Sequence, residues 1–294
     1  MSSWVILGCG YTGEHLAARL LGRVPDSPTC GATGADQVIG VVRNEGRAAE
    51  LARLGLASRV ADPRVPGAMD GWLPQGFILV DSIPTERGAA PHARAVVRAA
   101  ARAHCRRVVY LSSTAVYPRG DGSWIEENTP TSPDTPRGHA RLAMEREYFE
   151  AAAEHGLSAA ALRIAAIYGP GRGIVPRIRA GGYRVVGDGS NYFSRIHVED
   201  LVSAIVAAST ATCLVRHVYL VADDQPETAR AHADGVAALL GVAPPPSVPI
   251  ESVSTDMADL HVGNRRVCNT RMKTELGVSL RFPTWREGAR ACLR

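Results

Sequence analysis

Short apolar runs alternate with alanine-rich helical stretches along the first half of the chain, and this alternation most restricts the possible folds. The runs contain few polar residues, which is typical of strands whose two faces are both buried. Strands and helices in succession predict βαβ units, whose strands run parallel in one sheet. We therefore predict an α/β fold with a doubly wound parallel sheet. The candidate strands are WVIL (4–7), QVIGVV (37–42), FILV (77–80), RVVYL (107–111), AAALRI (159–164) and HVYLV (217–221), and the helical stretches include EHLAARLL (14–21) and ARAVVRAAARAHC (93–105).

The bulk composition argues against several classes of protein. The 294 residues carry a net charge of +4 that is spread along the chain, which speaks against nucleic acid and membrane surfaces as partners. No apolar run is long enough for a signal peptide or a membrane span, so we expect a cytoplasmic location. The six cysteines show no metal-ligand spacing, so we predict no metal site and buried free thiols. Lys273 is the only lysine among 33 basic residues, and this arginine bias cautions against giving every arginine a function.

The segment WVILGCGYTGEHLA places three glycines in a G-x-G-x-x-G run between the first strand and the first helix. Gly8 permits the tight turn, Gly10 lets a pyrophosphate approach the backbone, and Gly13 allows close contact between helix and strand. The helix N-terminus adds free N–H groups and positive potential, so Tyr11 and Thr12 belong to the predicted phosphate site. We predict a bound dinucleotide here, and a glycine-rich turn without a ligand is the alternative.

The residue that follows the second strand distinguishes the two nicotinamide cofactors. An acidic residue there binds the ribose 2′-hydroxyl of NAD, whereas arginine suits the 2′-phosphate of NADP. The segment GVVRNEGR places Arg43 at that position and Arg47 one turn further, so we predict NADP, although the arginine bias offers a chance explanation and Glu45 lies nearby. The spacing from the glycines exceeds the usual ~20 residues because a turn-rich surface loop is inserted at 23–36. Asp62, at the end of the third strand, is predicted either to hold the adenine amino group or to cap a turn.

Three later segments form a specific set, namely YLSSTAVYP (110–118), LRIAAIYGPGR (162–172) and SRIHVEDL (194–201). With the glycine loop, they make nearly the whole chain similar to the extended short-chain dehydrogenase/reductase family, the NAD(P)-dependent epimerases, dehydratases and reductases. The segments VYLVADDQP (218–226) and NRRVCNTRMKTELG (264–277) look most like its atypical YeeZ-type branch. The resemblance implies a Rossmann fold and a small-molecule substrate.

The resemblance also implies roles for several side chains. In that family a serine or threonine four residues before the tyrosine of a VY pair polarises the reacting oxygen, and counting back from Tyr117 gives Ser113. A strand-end serine that only satisfies backbone groups is the alternative. Tyr168, Arg195 and His197 fall where the family lines its substrate cleft, although His197 could equally be a structural histidine.

The acid–base pair of the family is missing from this chain. The family has a tyrosine four residues before a lysine, and in the corresponding segment, PRGHARLAME, Arg137 and Arg141 take these two places. The guanidinium of Arg141 can still hydrogen-bond the nicotinamide ribose, whereas Arg137 cannot deliver a proton near neutral pH, because a guanidinium is far too weak an acid. Tyr148 lies about 16 Å further along the helix, and His139 points to the opposite face. Tyr117, water or the substrate remain as proton sources, and Arg137 contacts an anionic substrate or only solvent.

We predict two interleaved parts. Residues 1–165 form an NADP-binding Rossmann domain, and residues 166–294 form a smaller substrate-binding part whose strand near 217–221 returns to the main sheet. The predicted function is that of an NADP-dependent oxidoreductase or epimerase that acts on a carbonyl or hydroxyl group of a polar small molecule, with a non-standard proton donor. The alternative is a catalytically silent NADP-binding sensor or regulator. The resemblance further allows a homodimer.

Overall fold

A seven-stranded parallel sheet forms the centre of the fold. The computed structural model describes residues 2–23, 34–85, 92–254 and 263–293. The strands are β1 (Ser3–Leu7), β2 (Gln37–Val42), β3 (Ala57–Val60), β4 (Ile78–Asp81), β5 (Arg107–Ser113), β6 (Trp124–Ile125), β7 (Ala159–Ile164), β8 (Ala166–Tyr168), β9 (Val185–Val186), β10 (Tyr192–Phe193), β11 (Arg195–His197), β12 (Val218–Val221), β13 (Glu227–Thr228), β14 (Ser247–Val248) and β15 (Arg266–Val267).

The order of the strands confirms the predicted doubly wound α/β fold. The main sheet runs β12-β7-β5-β4-β1-β2-β3, and every neighbouring pair is parallel. The chain order reverses between β1 and β4, and this is the place where such sheets open a crevice at the carboxyl ends of their strands. β12, which includes most of the predicted strand 217–221, pairs with β7 and therefore lies in the main sheet.

Helices cover both faces of the sheet, and most begin at a residue suited to capping. The side chains of Asn44, Thr135 and Thr284 each accept a hydrogen bond from a backbone N–H in the first turn of the following helix. The helices are α1 (Tyr11–Leu20), α2 (Glu45–Arg53), α3 (Ala93–Arg102), α4 (Pro136–Glu154), α5 (Ile174–Arg179), α6 (Val198–Thr210), α7 (Ala229–Leu240), α8 (Thr270–Glu275) and α9 (Trp285–Ala291), with short 3-10 turns at Thr114–Val116 and Ile250–Ser252.

The apolar runs of the sequence are buried on both sides of the sheet. In β1, Trp4 and Ile6 face the layer that contains α1, α2 and α6, whereas Val5 and Leu7 face the layer that contains α3 and α4. Each fully buried side chain of this size contributes about 2 kcal/mol of hydrophobic free energy. The uninterrupted apolar pattern of the strands follows from this two-sided burial.

The second part of the chain forms a smaller core beside the sheet. Helices α5, α7 and α9 pack around Trp285, which is 1% exposed, together with Tyr183 and Val236. Within the described residues, four two-stranded ladders lie outside the main sheet, namely β8 with β11, β9 with β14, β10 with β13, and β6 with β15.

Several sequence-based expectations need correction or fall outside the described residues. The helix predicted at 14–21 begins at Tyr11, and the strand predicted at 77–80 is shifted by one residue to Ile78–Asp81. Of the five cysteines in the described ranges, Cys9 and Cys105 are buried, but Cys213 is exposed and Cys268 and Cys292 are half-buried, so the prediction of uniformly buried thiols is wrong. Most of the loop predicted at 23–36 lies outside the described residues. Among the helices that the structure describes, none has the length and apolar character that crossing a membrane requires.

Candidate active site

The first glycine of the cofactor loop is required by a close backbone approach. Gly8 follows β1 with φ +69°, a conformation that other residues rarely adopt. A Cβ at this position would lie 2.9 Å from the backbone of Ile83, in the segment after β4. The amides of Gly8 and Cys9 both donate to the carbonyl oxygen of Val41, at 3.0 and 3.1 Å. The turn is therefore held against both neighbouring strands.

The next two glycines leave a cradle at the start of α1. A Cβ at Gly10 would meet no atom closer than 3.8 Å, so the space in front of the helix is open. Within the described residues, the amides of Tyr11, Thr12 and Gly13 donate to no backbone carbonyl, as expected for a first helical turn. A Cβ at Gly13 would lie 3.1 Å from Ile6, which explains the tight contact between helix and strand. This open, donor-rich geometry fits a pyrophosphate.

A crevice of about 210 Å³ continues from the glycine loop toward the end of β2. Its wall brings together five of the residues predicted to bind the cofactor. They are Gly8, Gly10, Arg43, Arg47 and Asp62. Tyr11, Thr12 and Gly13 lie at the adjoining helix start.

The side chain of Arg47, in the wall of this crevice, is already held by neighbours. The guanidinium of Arg47 contacts the carboxylates of Glu14 and Glu50 and lies 3.4 Å from the carbonyl oxygen of Cys9. Arg43 is exposed and directly follows β2, at the position predicted for it. No acidic residue occupies the end of β2, where Val42, Arg43 and Asn44 follow one another.

The sequence analysis missed Arg64, which lines the same crevice. Its Nη2 donates to Oδ2 of Asp62 at 2.8 Å, and its Nε donates to Oδ1 at 2.9 Å. The hydrogen bonds from Arg64 hold the pKa of Asp62 below its usual range. Oδ1 of Asp62 also accepts the backbone N–H of Arg64 at 3.0 Å, so the turn-capping alternative is realised. A contact between Asp62 and adenine stays a prediction. The sequence did contain an indication of this ion pair, because Asp62 and Arg64 stand two residues apart across a turn.

Ser113 ends β5, and its Oγ accepts the amide of Ala115 at 3.2 Å. This contact makes Ser113 the cap of the 3-10 turn that follows, which is the backbone role considered as the alternative. Its own hydroxyl hydrogen has no acceptor among the described residues, so the side chain can still donate to another oxygen. Ser113 is half-buried and stands at the carboxyl edge of the sheet, between β4 and β7.

Tyr117 is completely buried, and both hydrogen-bonding capacities of its hydroxyl are used internally. The oxygen accepts from Nη1 of Arg163 at 2.7 Å, and the hydroxyl donates to the carbonyl of Glu126 at 3.1 Å. Burial raises the pKa of Tyr117, against the opposing effect of Arg163. These surroundings argue against Tyr117 as the proton donor, because its proton is directed to a backbone carbonyl and away from solvent.

The two arginines of α4 have different environments. Nη1 of Arg141 donates to the carbonyl of Leu111 at 2.8 Å and to the hydroxyl of Tyr110 at 3.2 Å, so this half-buried side chain lies against the end of β5. Arg137 is exposed, and none of the described residues forms an ion pair or hydrogen bond with its guanidinium. Tyr148 is buried and donates to Asp81 at 2.8 Å, and His139 is exposed. None of these side chains places a titratable hydroxyl where the family has its tyrosine.

The three residues predicted to line the substrate cleft lie together, but inside the second part of the chain. Tyr168 pairs with His197 across the β8–β11 ladder, and their rings are 5.2 Å apart. Burial lowers the pKa of His197 to about 4, and its Nδ1 accepts the amide of Glu199 at 3.2 Å. Arg195 is 6% exposed and donates to backbone carbonyls, including that of Phe193 at 3.0 Å, while burial lowers its pKa to about 10. Their contact with a substrate stays a prediction, since each side chain is used in internal packing.

Comparison with known proteins agrees with this geometry. Residues 89–222 match the model of the NAD dependent epimerase/dehydratase family. A 3-diazoavenalumate denitrifying reductase from a Streptomyces species is 30% identical over 282 residues, which are 85% of this chain and 90% of that protein. The solved structure of a conserved protein of unknown function from Silicibacter pomeroyi is similar with a TM-score of 0.83 and 31% identity, covering 100% of this chain and 98% of that one.

A second solved structure shows the likeness of fold alone. The UDP-glucuronic acid 4-epimerase from Bacillus cereus, in complex with NAD, has a TM-score of 0.77 and 13% identity, covering 98% of this chain and 96% of that one. The fold and the site together define an NAD(P)-dependent enzyme of the short-chain dehydrogenase/reductase type. The chain belongs to the NAD-dependent epimerase/dehydratase family, as its sequence predicted.

Proposed function

We propose that the protein is an NADP-dependent oxidoreductase that moves a hydride to or from a carbonyl or carbinol carbon without a tyrosine proton donor. The observation that carries the proposal is the solvent-exposed Arg137 at the tyrosine position, in a chain whose cofactor loop keeps all three glycines. A guanidinium is far too weak an acid to release its proton at neutral pH, so Arg137 cannot take over the proton transfer that the family's tyrosine performs. The family membership favours this enzyme over a silent binding protein.

The preference for NADP rests on charge at the end of β2. Arg43, Arg47 and Arg64 line the crevice there, and Asp62 is neutralised by Arg64. A 2′-phosphate gains charge-assisted hydrogen bonds in such surroundings, whereas a ribose 2′-hydroxyl finds no acidic acceptor at the strand end. The Bacillus cereus epimerase, which shares the fold, is in complex with NAD, so the preference is tested by comparing NADPH with NADH on this protein.

Ser113 and Arg141 have separate roles at the reacting centre. A bound nicotinamide cofactor would supply or accept the hydride. Ser113 donates its free hydroxyl hydrogen to the substrate oxygen, and this stabilises the negative charge that develops during reduction. Arg141, fixed by Leu111 and Tyr110, supplies positive charge beside the end of β5. The proton that neutralises the product oxygen comes from water or from the substrate itself.

Turnover with labelled cofactor tests this proposal. Purified protein is mixed with NADPH carrying deuterium at C4 and with a panel of ketones and nucleotide sugars. The expected result is deuterium at the carbinol carbon of one product. Ser113→Ala should lower kcat about 100-fold, and Ser123→Ala, a change at an exposed serine, should leave kcat unchanged. Equal kcat for Ser113→Ala and the wild type, or no labelled product from any substrate, would overturn the proposal.

A second candidate function has a specific observation in its favour. The 30% identical Streptomyces relative is named for reductive denitrification of a diazo compound. When hydrogen replaces a diazonium group, the C–N bond breaks, a C–H bond forms with the incoming hydride, and dinitrogen leaves. The overall step consumes one hydride and no proton, so it tolerates the loss of the tyrosine.

An arenediazonium salt distinguishes the two candidates. With deuterated NADPH, the second candidate predicts one dinitrogen released for each NADP⁺ formed and deuterium on the former C–N carbon. The control is the same mixture without protein, because a diazonium ion is a reactive electrophile. A rate equal to that control excludes the second candidate and leaves the first one intact.

A further inference from the structure

A glycine-rich turn from the second part of the chain lies directly beside the start of α1. Between β8 and α5, Gly169 and Arg172 form an isolated antiparallel bridge, with amide-to-carbonyl distances of 3.2 and 3.0 Å. Gly171 and Gly173 adopt φ of +71° and +101°. The bridge and the two left-handed glycines fix the direction in which Arg172 leaves the turn.

Tyr11 connects this turn to the helix that holds the predicted phosphate site. It is the first residue of α1, and a Cβ at Gly169 would lie 2.6 Å from its hydroxyl oxygen. His15, one turn further along α1, packs its ring 4.6 Å from the Tyr11 ring. The tyrosine ring is therefore fixed between its own helix and the glycine turn, so the turn stays in contact with the helix start.

The guanidinium of Arg172 lies over the ring of Tyr11, with Cζ 5.1 Å from the ring centroid. Arg172 is exposed, and no carboxylate in the described ranges pairs with it. Arg47 and Arg64, two of the three arginines in the wall of the cofactor crevice, are paired with Glu14 and Asp62 respectively. Burial raises the pKa of Tyr11 to about 12, so the phenol stays neutral and does not cancel the charge of Arg172.

We propose that Arg172 binds the pyrophosphate of the dinucleotide from the side opposite the glycine loop. The proposal rests on the proposed function, because it requires a dinucleotide at the start of α1. The amides of the first turn bind one edge of the phosphates, and the planar guanidinium offers paired N–H donors to another edge. Stacking on Tyr11 holds the guanidinium in place before the ligand arrives, which reduces the entropy lost on binding.

Two nucleotide fragments isolate the pyrophosphate contact. ADP-ribose contains the pyrophosphate but no 2′-phosphate, whereas adenosine 2′-monophosphate contains the 2′-phosphate but no pyrophosphate. Affinities are measured by calorimetry for the wild type, Arg172→Gln and Arg172→Lys. Arg177→Gln is the matched control, because Arg177 is also exposed and lies 5.0 Å from the centroid of a tyrosine ring, that of Tyr183, but on α5.

We expect Arg172→Gln to weaken ADP-ribose roughly tenfold, as loss of a charge-assisted contact does. Arg172→Lys should weaken it less, and adenosine 2′-monophosphate should bind both variants as it binds the wild type. Arg177→Gln should bind both fragments unchanged. Unchanged ADP-ribose affinity in Arg172→Gln, with normal binding by the wild type, would overturn the role of Arg172 and leave the proposed function standing. Absence of binding of ADP-ribose and NADPH to the wild type would overturn both.

Discussion

Arg163 forms a bidentate ion pair with Glu145, with Nη2–Oε2 at 2.8 Å and Nε–Oε1 at 3.1 Å. The pair joins β7 to α4 in a site where both side chains are at most 8% exposed. Ser112 donates to the same carboxylate at 2.5 Å, and Arg163 also holds the hydroxyl of Tyr117. The pair therefore sets the position of α4, with its two arginines, relative to the strand end that carries Ser113.

Removing the charge of Glu145 should strongly destabilise the fold. In Glu145→Gln the cation of Arg163 remains buried without a counter-charge, and breaking a buried pair in this way costs about 3 kcal/mol of unfolding free energy. Urea unfolding measures the change. Glu150→Gln, which removes one partner of the exposed Arg94 pair, is the control and should cost less than about 1 kcal/mol. Equal losses for the two variants would contradict the structural role of the buried pair.

Gly138→Ala should move the first turn of α4. A Cβ at Gly138 would lie 2.7 Å from Cβ of Pro133 and closer still to the carbonyl oxygen of Ala115, in the turn after Ser113. We expect a loss of about 2 kcal/mol in unfolding free energy. Gly46→Ala in α2 is the control, because the new Cβ would meet nothing closer than 3.5 Å. This substitution should leave the unfolding free energy unchanged or raise it. A stabilising Gly138→Ala would show that α4 is not held against this turn.

Acid should destabilise the protein through His197. Burial, aided by the nearby positive charges of His15 and Arg281, lowers its pKa to about 4, so between its unfolded pKa of 6.5 and that value only the unfolded chain takes up the proton. The contribution of His197 to stability is therefore present above pH 6.5 and is lost as the pH falls toward about 4, by about 3 kcal/mol.

Buried carboxyl groups change the unfolding free energy with pH in the opposite direction from His197. The measurement must therefore compare the wild type with a variant that lacks this histidine. Burial raises the pKa of Asp200 to about 6, so the contribution of Asp200 to the stability of the fold is lost as the pH rises through that value. We therefore expect the difference in unfolding free energy between wild type and His197→Asn to shrink on acidification. Asparagine can still accept the amide of Glu199, as the imidazole does. A difference that stays constant from pH 7 to about pH 4 would mean that His197 titrates normally.

Arg43→Ala should reduce the affinity for NADPH about tenfold and change the affinity for NADH less than about twofold. The reason is that the proposed binding mode places Arg43 beside the 2′-phosphate, which only NADPH carries. Quenching of protein fluorescence reports both affinities. Arg53→Ala, at the exposed end of α2, serves as the control. A parallel loss of NADH affinity would show that Arg43 serves the adenosine in general and does not select the phosphate.

The features that could be predicted from the sequence depend on residues that lie close together in the chain. The β1–Gly8–α1 unit could be predicted because the turn, the cradle and the helix start depend on residues within one short segment. The strands of the sheet could be predicted because burial on both faces leaves uninterrupted apolar runs. Their bounds shifted by one or two residues, as for Ile78–Asp81, because strand ends depend on pairing with neighbours.

The contacts that need distant partners could not be predicted. The carboxylate that meets Arg163 lies 18 residues away, on another element. Whether Arg195 faces a substrate or the protein interior depends on carbonyl oxygens at Phe193 and Glu227, which only the folded chain brings together. The hydrogen bond from Arg163 to the hydroxyl of Tyr117 could not be predicted either, because the two residues lie far apart in the sequence.

Calorimetric titration of the wild-type protein with NADPH and with NADH tests the central claim most directly, namely that a dinucleotide binds at the glycine loop with its 2′-phosphate beside Arg43. We predict that NADPH binds at least about tenfold more tightly than NADH. Equal or tighter binding of NADH, or no binding of either nucleotide, would contradict this account.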